Sequence, residues 1–114
     1  MGPIAASRST PFTYRPNWGL PSMEPPDQTG APVFGFSATP VVPGGPPVRA
    51  VIVVPYPQTI ARWESEVIPG TTLPMYDGPR VHGVGTVAWC RAAHYPLSPT
   101  EVSEFSAWLD EGEG

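Results

Sequence analysis

Residues 48–54 read Val-Arg-Ala-Val-Ile-Val-Val, with Pro46-Pro47 before them and Pro55 after. A β-branched run this short, closed at both ends by residues that break regular structure, reads as a buried strand rather than a helix. A second run, Val81 to Arg91 (VHGVGTVAWCR), behaves the same way. There Val87 and Trp89 point to one face, and Thr86, Ala88 and Cys90 to the other. Gly83 and Gly85 within it mark a bulge or a close backbone approach. These two runs set the expected fold class as mainly β.

The stretch between them is less definite. Ile60, Trp63, Val67 and Ile68 follow a helical stripe between Pro57 and Pro69. Alternation through Ala61, Trp63, Ser65 and Val67 fits a strand as well, and the β-like surroundings favour the strand. Pro69-Gly70 and Asp77-Gly78-Pro79 are turn signals. Thr71 to Tyr76 then reads as a short edge strand, limited by Pro74.

After the second run, Ser98-Pro99-Thr100-Glu101 opens a helix expected over 99–110. Serine at the cap, proline at the first helical position and glutamate three residues on form a capping box. Leu97 before the cap and Val102 after it make the spacing of a hydrophobic staple. Val102, Phe105 and Leu109 give one apolar stripe with Trp108 at its edge. Gly112 is placed to end the helix. Asp110 and Glu111 oppose the helix dipole.

Upstream the chain changes character. Residues 1–47 hold eleven of the eighteen prolines, spaced so that no helix or central strand is expected among them. The expected organisation is an extended, proline-rich arm over 1–47 and a small β-rich domain over 48–114. Pro43-Gly-Gly-Pro-Pro forms the joint. The arm also carries large apolar groups: Phe12, Tyr14, Trp18, Leu20, Met23, Phe34 and Phe36. Each exposes area worth about 25 cal/mol per Å² when buried. Preset proline dihedrals lower the entropy lost on docking. Phe12, Tyr14, Trp18, Leu20, Phe34 and Phe36 are therefore the candidate partner-binding residues. Trp18 leads, because tryptophan is enriched among interface anchors. The plainer alternative is an arm that wraps its own domain.

Composition narrows the function classes. The 114 residues fit one domain, the net charge is −4, and there is no lysine. Six scattered arginines form no basic patch, so nucleic acid is not an expected partner. Cys90 is alone and forms no internal disulfide. The longest apolar stretch, Ala50 to Val54, is too short to span a bilayer, so no membrane insertion is expected. The N-terminus lacks the regions of a secretory signal. Met1-Gly2 lacks the serine or threonine that myristoylation needs, with Ala6 in that place. The expected location is the cytoplasm or a virion.

Two resemblances stand on particular residues. Gly85-Thr-Val-Ala-Trp-Cys-Arg followed by Tyr95-Pro-Leu-Ser-Pro-Thr-Glu-Val resembles the closing segment of LamG-like, concanavalin A-like jelly-roll domains. That resemblance implies β-sandwich-like packing with a terminal helix, in a family that recurs in phage tail and surface proteins. No carbohydrate or calcium residues match. The stretch from Pro96 to Gly112 is similar to the last helix of some small c-type cytochromes. The Cys-x-x-Cys-His pair that would attach haem is missing, so no cofactor is expected.

Catalytic readings find little support in spacing. Cys90 and His94 have the residue types of a nucleophile–base pair. Across a strand end they lie ~13 Å apart at ~3.3 Å per residue. Cys90, His82, His94 and Asp77 lack the paired spacing of a zinc site. Asp77, Glu64 and Glu66 read as solvated charges rather than paired acid–base carboxylates. Gly83-Val-Gly85 lacks the third glycine and helix of a dinucleotide fingerprint. Pro43-Gly-Gly-Pro-Pro lacks the lysine of a phosphate loop. The Pro40 to Pro43 and Pro43 to Pro46 spacings match a PxxP ligand only as proline density would. The expected function is a non-enzymatic structural or cementing component of a large assembly, with other protein subunits as partners and no small-molecule substrate. A bacteriophage virion (capsid decoration, minor capsid or tail protein) is the first reading. An accessory subunit of a cellular membrane or enzyme complex and a carbohydrate-binding module are the alternatives.

Overall fold

The computed structural model describes residues 11–12, 14–25, 27–37 and 45–111. Met1-Gly2, the Pro43-Gly44 part of the joint, the Pro40–Pro43 spacing and Gly112 lie outside them. In chain order the elements are β1 (Asn17–Trp18), β2 (Thr29–Gly30), β3 (Val33–Phe36), β4 (Ala50–Ile52), α1 (Pro57–Glu66), β5 (Thr72–Asp77), β6 (Arg80–Thr86) and α2 (Pro99–Glu111). The chain is β-rich, with two antiparallel sheets and a C-terminal helix.

Two compact units interleave along the sequence. One takes residues 1–15, 32–53 and 93–114; the other takes 16–31 and 54–92. Both draw on the 1–47 segment, whose described part supplies β1, β2 and β3. β1 even lies inside its sheet, between β2 and β5. The prolines set strand length rather than forbidding strands. Of the four residues between Pro16 and Pro21 two form β1, and neither proline nitrogen has to donate within the ladder.

In the first unit β3 pairs antiparallel with β4, with an irregularity between Val33 and Gly35. All four β3 residues are buried, the pattern of a strand covered on both faces. The strand read from 48–54 shortens to three residues; Val53 still donates its amide to the Pro32 carbonyl, but Pro32 has no N–H to return the bond, and the ladder stops there. α2 packs on β3 and β4 through Phe105 and Leu109. Phe34 meets Phe105 edge to face at 6.2 Å, and Phe12 lies 5.9 Å from Phe34 and 5.4 Å from Tyr95. Such pairs add to the area they bury.

The capping box forms as read, but the buried stripe of α2 is displaced. Glu101, Phe105 and Leu109 face inward, while Val102 is 40% exposed. The carboxylate takes the inner position because its hydrogen-bond donors lie there. The expected staple on Leu97 therefore leaves Val102 half out in solvent.

In the second unit the sheet order is β2-β1-β5-β6. Asp77 pairs with Arg80 across a two-residue loop. Gly78 has φ +58° and Pro79 follows, the sign pattern of a type II′ hairpin turn. The β5–β6 register shifts between Met75 and Tyr76, which leaves His82 as the extra residue of a bulge. β6 ends at Thr86, short of the expected Arg91. Val87 still exchanges backbone bonds with Thr71 and Gly70 before the ladder stops.

Two expectations change here. β5 was read as an edge strand, yet it lies between β1 and β6. Pro74 is accommodated because its carbonyl accepts the Gly19 amide at 3.0 Å on the β1 side. The β1 ladder ends at that point, so its missing donor costs little. The 58–68 stretch, leaning to strand by its sequence, forms α1 over Pro57–Glu66. Proline at the first helical position suits a helix start. Trp63 and Val67 are buried at i and i+4, whereas Ala61 and Ser65 of the alternating pattern are exposed. Arg62 Nε bonds Glu66 Oε2 at 2.9 Å one turn apart.

Candidate interaction surface

The aromatic residues expected to anchor a partner are largely consumed by the chain itself. Trp18 is 5% exposed and donates its Nε1 to the Ala31 carbonyl at 3.0 Å. Leu20, Phe34 and Phe36 are buried. Phe12 and Tyr14 are half-buried, Tyr14 lying 6.2 Å from Phe36. Segments rich in proline and aromatics have apolar area to hide, and here it is hidden at home. Arg15, beside them, donates to the Phe12 carbonyl.

The polar clusters act as clamps. The Ser22 hydroxyl and amide both bond the Glu66 carboxylate, at 2.8 and 2.7 Å, and Arg62 Nη2 bonds the Ser22 hydroxyl at 2.7 Å. The Ser22 hydroxyl and amide, followed by Arg62, hold the Glu66 carboxyl below its usual range. This ties the 20–25 loop to α1. In the other unit Glu101 accepts the amides of Ser98 and His94 at 2.8 and 2.9 Å, with His94 Nδ1 at 3.2 Å. Those two backbone donors, Ser98 first, bring its carboxyl down to about 2. The sequence showed the Ser98 half of this clamp; the His94 half depends on how the 93–98 loop returns, which no local spacing announces.

The candidate nucleophile and base each have a separate structural partner. The Cys90 thiol donates to the Val67 carbonyl at 3.4 Å, and burial pushes its pKa up. The residue is otherwise exposed. His94 is held by Glu101. Among the described residues no three His, Cys, Asp or Glu side chains are grouped to hold a metal. No helix among the described residues is long and apolar enough to cross a membrane.

The outward feature that combines an open strand edge with two exposed large apolar side chains is the last strand of the second unit's sheet. β6 stands at one end of the sheet order. Val81 and Val84 on it are 55% and 66% exposed. Pairing with Tyr76 and Pro74 places both on one face. The ladder fixes where the β6 backbone points. Pro74 directs its carbonyl toward β1, so its pair with Val84 is the non-hydrogen-bonded kind. The Val84 amide and carbonyl therefore point away from β5. Thr86, two residues on, does the same. Val87, of the opposite parity, donates inward to Thr71 at 2.9 Å. Among the described residues this outer row has no partner strand.

The sequence places the edge at 71–76; the edge at β6 follows from the pairing of β5 with β1 on its other side, which no local spacing announces. In comparisons with known proteins, no family model matches the chain, and no curated protein and no solved structure resembles it significantly.

Proposed function

We propose that this protein is a non-catalytic structural component of a larger protein assembly, which it joins through the outer edge of β6. The observation that carries this reading is an open strand edge with Val81 and Val84 both more than half exposed. Such an edge is a template for another chain. The Cys90 and His94 side chains, the best candidates for chemistry, are each committed to a structural hydrogen bond, which favours a non-enzymatic role. A bacteriophage particle, with this chain as a capsid decoration, minor capsid or tail protein, is the assembly we put first. The resemblance of residues 85–102 to LamG-like domains motivates that choice, and the LamG-like identity is itself part of the proposal.

The test is co-sedimentation of the purified chain with particles from its native source. The expected result is saturable binding at fixed stoichiometry to particles far larger than the chain. A chain that stays in the low-mass fraction at all particle concentrations overturns the reading. Binding that a glycan competes away moves the protein to the carbohydrate-binding class.

A further inference from the structure

We infer that the outer edge of β6 receives one extended segment of a partner protein, added antiparallel as a fifth strand, apolar opposite Val81 and Val84 and acidic at its C-terminal end. This rests on the assembly reading above and names the chemistry of its contact.

Three observations lead to it. The first is the unpaired backbone row at Val84 and Thr86, which accepts only a chain in extended conformation. The second is the side-chain pattern. Val81 and Val84 stand on one face of the strand and are exposed, so the added strand gains apolar contact there. The third is charge. The chain is net −4, yet β6 itself carries Arg80 and His82 and no aspartate or glutamate, the nearest acid being Asp77 opposite Arg80 on the β5 side. Arg80 is exposed and makes no ion pair among the described residues. In an antiparallel addition the residue facing Arg80 belongs to the C-terminal end of the incoming strand, which puts the acid there.

The same facts disfavour a second copy as occupant. Stable protein pairs bury ~1,200–2,000 Å², and one seven-residue edge offers far less. Two copies also bring −4 each. A strand supplied by a larger assembly has other contacts to share the cost.

The probe is the peptide acetyl-Thr-Val-Ser-Val-Thr-Val-Asp-Glu-amide, titrated into the full chain and followed by amide hydrogen exchange. The expected result is new protection at the Val84 and Thr86 amides, weakening as salt rises from about 50 to 500 mM. A peptide ending in Lys-Arg binds about tenfold more weakly, and Arg80→Glu reverses that preference. Val84→Pro removes only the outward donor, because Val84 makes no ladder bond to Pro74, and abolishes the protection at Thr86. If that variant does not fold, Val84→Asp keeps the backbone and sets a charge against the apolar part of the added strand, with the same expected loss. No protection at millimolar peptide overturns the inference. Protection without peptide that grows with protein concentration also overturns it, in favour of a second copy. Co-sedimentation that survives Val84→Pro undisturbed overturns this contact and leaves the assembly reading standing.

Discussion

Ser98 and Glu101 cap each other: the Ser98 amide donates to Glu101 Oε1 at 2.8 Å, and the Glu101 amide donates to the Ser98 hydroxyl at 3.2 Å. The carboxylate also holds the His94 amide. One side chain thus closes the start of α2 and anchors the loop before it. The charged form makes these bonds, so its titration governs them.

Folding lowers the Glu101 carboxyl from an ordinary 4.5 to about 2. A depressed folded pKa gives stability that is complete above the unfolded value and lost as pH falls toward the folded one. The contribution should be full at pH 6, decline from about pH 4.5 and be gone near pH 2. Thermal melts of wild type and Glu101→Gln across pH 2–7 check this. The gap between them should be widest at neutral pH and close in acid. A gap independent of pH would mean the charge is irrelevant.

Arg49 closes the other end of the same helix. Its guanidinium lies 4.8 Å over the Trp108 ring, and Nη1 donates to the Trp108 carbonyl at 2.8 Å. That puts a cationic donor on a carbonyl of the last turn, and it offsets the acidic Asp110-Glu111 end. The Glu111 contact at 3.3 Å is well exposed and adds little. Arg49→Ala should cost about 1–2 kcal/mol in urea unfolding. Arg49→Lys, which keeps the charge and loses the planar fork, should recover less than half.

Gly19 has no room for a side chain. A Cβ there would stand 3.0 Å from Pro74 Cγ and 3.1 Å from Tyr76 Cε2, both parts of rigid rings. Gly19→Ala should destabilise by about 1–3 kcal/mol, the usual cost of overpacking. Gly30→Ala serves as the control, since its Cβ would meet the more mobile Asn17 side chain at 3.2 Å. Equal losses in the two variants would mean that the Pro74 and Tyr76 rings give way as readily as the Asn17 side chain.

How much of this was legible follows from how local each signal is. β4, the Asp77–Arg80 hairpin and the α2 cap are written in adjacent residues, and they formed. Residues 58–68 carried both periods at once. What decided for α1 was the proline at its first turn and the Arg62–Glu66 pair, which periodicity alone does not weigh. β1 and β2 are two residues each, too short for any period; β1 forms by pairing with β5, and β2 by pairing with β1. For the same reason Trp18 looked like an anchor for another protein: nothing nearby in sequence shows the Ala31 carbonyl that receives its indole. The β6 edge was half legible, since its exposure depends on which neighbour β5 keeps on its other side.

Trp63 offers a test in which the sign is unusual. The residue is 7% exposed, and its Nε1 is buried with no acceptor among the described residues. An unsatisfied buried donor costs about 1–3 kcal/mol, while the ring supplies much of the burial of α1. Removing the donor and keeping most of the ring separates the two terms. Trp63→Phe should be neutral or slightly stabilising, because the relieved penalty offsets the lost area. Trp63→Ala should cost about 3–5 kcal/mol through the cavity it leaves. Chemical denaturation of both variants measures the pair. If Trp63→Phe loses as much as Trp63→Ala, the indole nitrogen has a partner in solution, and a bound water at that nitrogen becomes the thing to find.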